Sequence, residues 1–358
     1  MAPLRSRNEL RLERKTPQVL HDYAAMLGYD RPVWMSKAIN RRLQAAAVPE
    51  TTWRMVDYQR PLAWLRESKD DTRKLLRAMR RRTSKHGFFR DDPKPCLASE
   101  YKGDPRAEVD IWQGSYFISA LLNDRCFTEI RTTGPTPVTV SNPGDHAREH
   151  LLPHFCSPDV VAEAQIVPIG SGPFAPHLGA NVLAFTDDGF LKLWHQSDNN
   201  HYSQNMLIAT GSGSWDIRDL RGARTIEDAA VKAMERELAE EAPGSSVRRT
   251  RLIGFWRDLE RGGFPGFLGI ALLADTEKAL RADGREVEDR DDSAFPASSV
   301  DELQVTVTGL LAKPAKLPPS LYAALSALDQ MCNEHPATLA DFLAISVRGP
   351  SAGARLNP

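Results

Sequence analysis

The chain reads as an α/β protein preceded by a largely helical N-terminal region. Three observations predict this. Two apolar runs flank Asp187-Asp188-Gly189 in NVLAFTDDGFLKLWHQ, and an Asp-Gly pair between such runs signals a β-hairpin. One long helix is bounded at both ends between Gly222 and Gly244, and helical patterning runs from Thr16 to about Arg82. At 358 residues the chain exceeds what a single core usually organises, so at least two units are expected. With 41% apolar and 26% charged residues it falls in the globular class.

In chain order, segments such as HDYAAML and DTRKLLRAMRRR are helical in pattern, while Pro32, Pro49 and Pro61 cut the region into short pieces. Residues 109–130 mix apolar and aromatic side chains in a way that fits one or two strands or a buried helix equally well. The Gly- and Pro-rich stretch 166–180 reads as a boundary. After the hairpin, a Ser- and Asn-rich loop leads through MLIATGSGSWDI to the long helix. Thr225 and Asp228 there resemble a capping box, and Pro243-Gly244 closes the helix. A strand pair around RRTRLIGFW and GFLGIALLA follows, split by LERGGFPG; FPASSVDELQ is a strand-to-helix step, and KPAKLPPS precedes a helical tail. The expected organisation is a basic, mainly helical region over 1–165, an α/β domain over 166–312 and a Pro-rich linker with a helical tail over 313–358. No repeat period is visible.

The net charge of -1 conceals an asymmetry: residues 1–100 carry 22 Lys/Arg against 12 Asp/Glu, so the remainder is acidic. Cys96, Cys126, Cys156 and Cys332 lie far apart without a C-x-x-C pair, which argues against a zinc ribbon or a disulfide framework. The start MAPLRSRNELRLERK has no apolar stretch, and the run Phe267 to Ala274 is too short to span a bilayer. A cytoplasmic protein without a membrane partner is expected.

Within GARTIEDAAVKAMERELAEEAPG, the side chains of Glu237, Glu240 and Glu241 share one helix face. Like charges at these spacings cost an isolated helix about 0.2–0.5 kcal/mol per pair. A hard divalent cation with oxygen ligands, Mg2+ or Mn2+, removes the conflict. Arg236 can pair with Glu240 four residues on. On composition alone the plainer reading is the charged face of an amphipathic helix.

The spacing argues otherwise. The segment resembles the signature of the Nudix hydrolase family, G-x5-E-x7-R-E-U-x-E-E-x-G-U with U aliphatic: Gly222, Arg236, Glu237, Leu238, Glu240 and Glu241 fall in register. Asp228 occupies the place of the first Glu, Pro243 that of the Gly and Gly244 that of the final aliphatic residue. Leu220-Arg221-Gly222 stands where the family usually has Pro-Gly-Gly. The likeness extends over about residues 178–312, including the FPASSVDEL stretch. It implies a Nudix-like α/β/α sandwich around a mixed sheet, with Glu237, Glu240 and Glu241 as metal ligands and Gly222 at the bend before the helix. The implied chemistry is cleavage of a diphosphate linkage, in which the cation draws charge from the phosphate oxygens and lowers the pKa of the attacking water. A carboxylate takes the proton: Glu241 or Glu240, with Arg236 orienting, or a downstream loop acid, Glu286 or Glu288.

The substrate expected is a nucleoside diphosphate joined to another group, contacted by Gly222, Arg221 and Trp215. Trp194 and Trp215 could stack on a base, although a core role suits each better. The rival is a non-catalytic Nudix-like nucleotide sensor that regulates through the N-terminal region. A third reading comes from His146-Ala-Arg-Glu149-His150, which matches the H-x-x-E-H pattern of zinc peptidases, yet Pro153 ends any helix just after it and no third ligand can be named. A homodimer is a further option. The basic run Lys74 to Arg90, with Phe88 and Phe89 as stacking residues, could lie on a nucleic-acid backbone or be a solvated helix face. A nucleic-acid role predicts that affinity falls steeply with salt and that replacing Arg80, Arg81 and Arg82 by Ala flattens the slope, since fewer counterions are released. Absence of binding to single-stranded or duplex nucleic acid at low salt removes that role.

Overall fold

The computed structural model describes residues 9–67, 91–133, 136–152, 166–172, 174–197 and 205–347. The basic run Lys74 to Arg90, Cys156 and Pro153 lie outside these residues. The described part of the first 150 residues is mixed rather than mainly helical. It runs β1 (Glu9–Arg14), α1 (Gln18–Met26), β2 (Val33–Met35), α2 (Lys37–Gln44), β3 (Thr52–Met55), α3 (Arg60–Glu67), β4 (Pro93–Leu97), β5 (Glu108–Ser115), α4 (Tyr116–Asn123), β6 (Thr128–Thr133), β7 (Thr139–Ser141) and α5 (Pro143–His150). Two three-stranded sheets result, ordered β1-β6-β7 and β3-β5-β4. Apart from the eight-residue β5, these strands run three to six residues, one of them an edge strand with two prolines, and leave little alternation to read. The unassigned stretch 109–130 turns out to hold strand and helix in succession, divided where the Ser115 hydroxyl accepts the Ile118 N–H at 3.2 Å.

The second half supplies β8 (Gly179–Phe185), β9 (Phe190–Lys192), β10 (Trp194–Gln196), β11 (Leu207–Ile208), β12 (Gly211–Ser214), α6 (Ile226–Glu241), β13 (Val247–Asp258), β14 (Phe264–Leu273), β15 (Val287–Glu288), β16 (Ala294–Pro296), α7 (Val300–Leu311), α8 (Pro319–Glu334) and α9 (Pro336–Leu343). The expected hairpin joins β8 to β9, with Gly189 at φ +84° in the left-handed region that a three-residue loop needs. The main sheet is mixed. Its order is β16-β9-β8-β14-β13-β2, with β8 parallel to β14 and β12 antiparallel to the first half of β8.

Alternation along the central strands separates two cores. Ala180, Val182, Ala184, Phe267 and Ala271 face α6, whereas Leu183, Phe185, Leu268 and Ile270 face α7, α8 and α9. A register shift between Leu252 and Gly254 lets Leu252 and Phe255 face the same core. Helices thus cover both faces of a mixed sheet. Among the described residues no helix is long and apolar enough to cross a membrane.

The edge of this sheet is closed from the N-terminal side. β2 pairs with β13 only from Trp256 to Asp258. Beyond it, the side chains of α2 take over: Asn40 Oδ1 accepts the Phe255 N–H at 3.0 Å, and Gln44 Nε2 donates to the carbonyls of Ile253 and Ala327 at 2.8 and 2.9 Å. Two buried amides therefore stand in for a missing strand. Replacing either by leucine leaves buried backbone groups unpaired. Gln44→Leu and Asn40→Leu should each lower the unfolding free energy by about 1–3 kcal/mol in urea denaturation. Wild-type stability in both would show that the edge is satisfied otherwise.

Candidate functional site

Helix α6 begins at Thr225, whose hydroxyl accepts the Asp228 N–H at 3.1 Å. The cap is one-sided: the Asp228 side chain is exposed, so the capping energy belongs to Thr225. Neighbouring Glu227 is buried instead and accepts from the Tyr101 hydroxyl at 2.7 Å and the Thr51 N–H at 2.9 Å, which fixes the helix start to the N-terminal region. Gly222, at φ +69°, makes the bend before the helix, and Lys232 Nζ reaches back to the exposed Arg221 through its carbonyl at 2.8 Å. Ala229, Ala230 and Ala233 let the helix lie close on the sheet.

The last two turns of α6 lie against β12, whose sequence is Gly-Ser-Gly-Ser. A Cβ at Gly213 would overlap the Glu237 carboxylate, and one at Gly211 would come within 2.8 Å of the Leu238 nitrogen. Only glycine allows this approach. Glu237 and Glu241 are consequently buried, 8% and 5% exposed. Arg236 Nη1 donates to Glu237 Oε1 at 2.7 Å and to Glu240 Oε2 at 3.3 Å. Its other nitrogens grip buried Asp219 at 3.0 and 3.1 Å and the Ser214 carbonyl at 2.9 Å. Glu240 stands at the rim, where Arg218 also reaches it at 3.1 Å. Glu241 receives a bond from the Ser212 N–H, while its Oε2 has no partner.

Burial raises the Glu237 carboxyl to about 7 against the pull of Arg236. It drives Glu241 well above the usual range, helped by the charges of Glu237 and Glu286. Glu286 is exposed and acts on Glu241 through space, whereas Glu288 is engaged by Arg290 at 2.9 Å. Of the two loop acids, Glu286 is the one beside the acid face.

Trp215 is fully buried, donates to the Gly179 carbonyl at 3.1 Å and packs its ring on Phe267, so as placed it holds the sheet and presents no stacking face. Trp194 is likewise buried, bonded to the Thr210 carbonyl. His146 and His150 stack edge-on at 4.7 Å, with Phe174 against His146. Among the described residues no three His, Cys, Asp or Glu side chains converge as an assembled metal cluster, at this histidine pair or at the acid face. In the acid face the reason is visible: Glu240 is turned to the two arginines. Sequence reasoning missed Asp219, the buried anchor of Arg236; its signal was Asp216-Ile-Arg-Asp219, which forms a reciprocal capping box around a short 3-10 turn.

The raised carboxyl has a signed consequence for the metal-free protein. Below about pH 4.5 Glu237 is protonated in both folded and unfolded chains. Between there and about 7 only the unfolded chain ionises it, so stability falls as pH rises, by on the order of 3 kcal/mol from this group. Denaturation across pH 4 to 8 with a chelator should show this decline, and Glu237→Gln should make it shallower, the remainder coming from Glu241, whose carboxyl is raised in the same direction. An equal decline in that variant places the titration elsewhere.

No family model matches the chain, and no curated protein does. Among solved structures it is similar to Tm1382, described as a candidate Nudix hydrolase, at 14% identity over 44% of this chain and 72% of that one, with a TM-score of 0.28. It is similar to DR0079 from Deinococcus radiodurans at 13% identity over 46% and 92%, TM-score 0.29. RenU, a Nudix hydrolase from M. smegmatis, matches at 18% identity over 43% and 85%, TM-score 0.25. The functional reading therefore rests on the site's own geometry.

Proposed function

We propose that the chain is a divalent-cation-dependent pyrophosphohydrolase that cleaves a nucleoside diphosphate joined to another group. The observation that carries the reading is the pair Glu237 and Glu241, buried side by side with Glu241 Oε2 unpartnered. An ionised carboxylate kept from water without compensation costs several kcal/mol, and one arginine serves three acids here. Hard oxygen donors of this kind fit Mg2+ or Mn2+. Glu237, Glu240 and Glu241 are the residues that would hold it. When bound, the cation supplies charge to the phosphate oxygens and acidifies water.

The chain's own part is to orient and to move a proton. Asp219 holds Arg236, and Arg236 in turn holds Glu237, buried against β12, and Glu240 at the rim. Glu241 is placed by the Ser212 N–H, and a carboxylate so fixed can position water or accept its proton. Glu286 is the second candidate for that proton. The sensor reading draws support from Glu240, which two arginines already occupy.

Turnover separates the two. With a panel of nucleotide-sugars, dinucleotides and nucleoside triphosphates in Mg2+ or Mn2+, Glu241→Gln should lower turnover of the best substrate at least about a hundredfold. Asp228→Ala should leave turnover near wild type, since its side chain is exposed and makes no cap. Tight nucleotide binding without cleavage that Glu241→Gln abolishes would establish the sensor.

A further inference from the structure

Beside the acid face lies a second group of side chains that the proposed chemistry leaves unused. His177 is wholly buried, between the rings of Tyr116 and Phe264, and its Nε2 lies 3.0 Å from the Ser214 hydroxyl. Its Nδ1 has no partner. Ser214 is the last residue of β12, one position beyond the glycine that receives Glu237, and its carbonyl accepts from Arg236.

Strand β4 runs along the same place. The Pro95 carbonyl accepts the Leu178 N–H at 3.0 Å, and Cys96 bridges His177. Lys94, half-buried and set in the ladder opposite Gly114, stands next in line. Among the described residues Lys94 makes no ion pair, whereas Arg218, Arg236 and Arg261 around it are all paired.

We infer that Lys94 and the Ser214 hydroxyl form an anion-binding wall beside the acid face, suited to a phosphate group of the substrate; this rests on the diphosphate chemistry proposed above. The tautomer of His177 decides what Ser214 can do. With a proton on Nδ1, a buried N–H would be orphaned; with the proton on Nε2, only a lone pair is orphaned, the more tolerated defect. Nε2–H therefore donates to Ser214 Oγ, and the serine O–H is left to donate outward. Burial, and then the charges of Arg261 and Lys94, push the His177 pKa well below its usual value, which keeps the ring neutral for this task. The Lys94 charge also reaches Glu237 and Asp216, placing it within the field of the same site. An ammonium with no ion pair among the described residues and an oriented hydroxyl give an anionic oxygen two donors, one of them charged. His177 acts as a positioning residue. Lys94 comes from the N-terminal region, so that region contributes to the substrate pocket directly.

The test is calorimetric binding of inorganic pyrophosphate to the full chain at fixed Mg2+ and low salt. Lys94→Gln and Ser214→Ala should each weaken binding by about tenfold or more, and Lys94→Arg should stay within about threefold of wild type. Thermal melts verify folding, and Lys94→Met, which keeps the apolar stem, replaces the Gln variant if that one melts early. Binding unchanged in Lys94→Gln or Lys94→Met yet lost in Glu241→Gln overturns the wall and leaves the acid face standing. No pyrophosphate binding by the wild-type chain overturns both.

Discussion

Glu237 and Glu241 are held out of water against a strand of alternating glycine and serine, and an uncompensated charge at either position is costly, so the surroundings are arranged to supply counter-charge and hold it still. The glycines at 211 and 213 come first in that arrangement, because a single methyl group at 213 would occupy the space of the Glu237 carboxylate. Arg236 comes next. Its guanidinium spans Asp219, Glu237, Glu240 and a backbone carbonyl, a use of several donors in a fixed fork that lysine could not reproduce. The 3-10 turn over Ile217–Leu220 then has a purpose beyond linking a strand to a helix: its capping box orients the Asp219 carboxylate that anchors the fork.

This arrangement depends on residues far earlier in the chain. Glu227 ties the start of α6 to Tyr101 and Thr51, and the Asn40 and Gln44 amides close the sheet that α6 rests upon. A shift of the N-terminal region would move the helix start, and with it the register of Glu237 on Gly213. The region is coupled to the acid face by packing and by buried polar bonds, which tolerate little displacement.

The parts legible in the sequence were those with strong local chemistry. The Asp187-Asp188-Gly189 turn, the α6 boundaries, the strand pair over 247–273 and the step from FPASS into α7 each follow from turn residues or caps acting within a few positions. Gly222 at the bend was legible for the same reason. The N-terminal strands were not, since β2 is three residues long and exists because β13 offers it an edge. Helical spacing gathered the three glutamates on one face but could not foresee that Glu240 would turn to Arg218, a residue from another element. Nor could it separate Trp215 as a core residue from Trp215 as a stacking platform, because an indole serves both. Asp219 and Lys94 needed the tertiary structure: one acquires its meaning from Arg236, the other from making no ion pair among the described residues.

Exposure decides which of the ion pairs around the acid face can yield. The Arg218–Glu240 pair has side chains 57% and 52% exposed, and pairs so solvated contribute about 0–1 kcal/mol. Arg236 and Asp219, at 15% and 4%, form a shielded bidentate contact whose rupture would strand a buried charge. Under the proposed cation chemistry the acid face would offer two fixed acids, Glu237 and Glu241, and a rim acid, Glu240, whose contact with Arg218 is cheap to exchange. That ordering suits a site in which the third ligand closes last. The Arg218 contact can be given up at little cost, whereas the 3.3 Å contact from the shielded Arg236 keeps Glu240 beside Glu237.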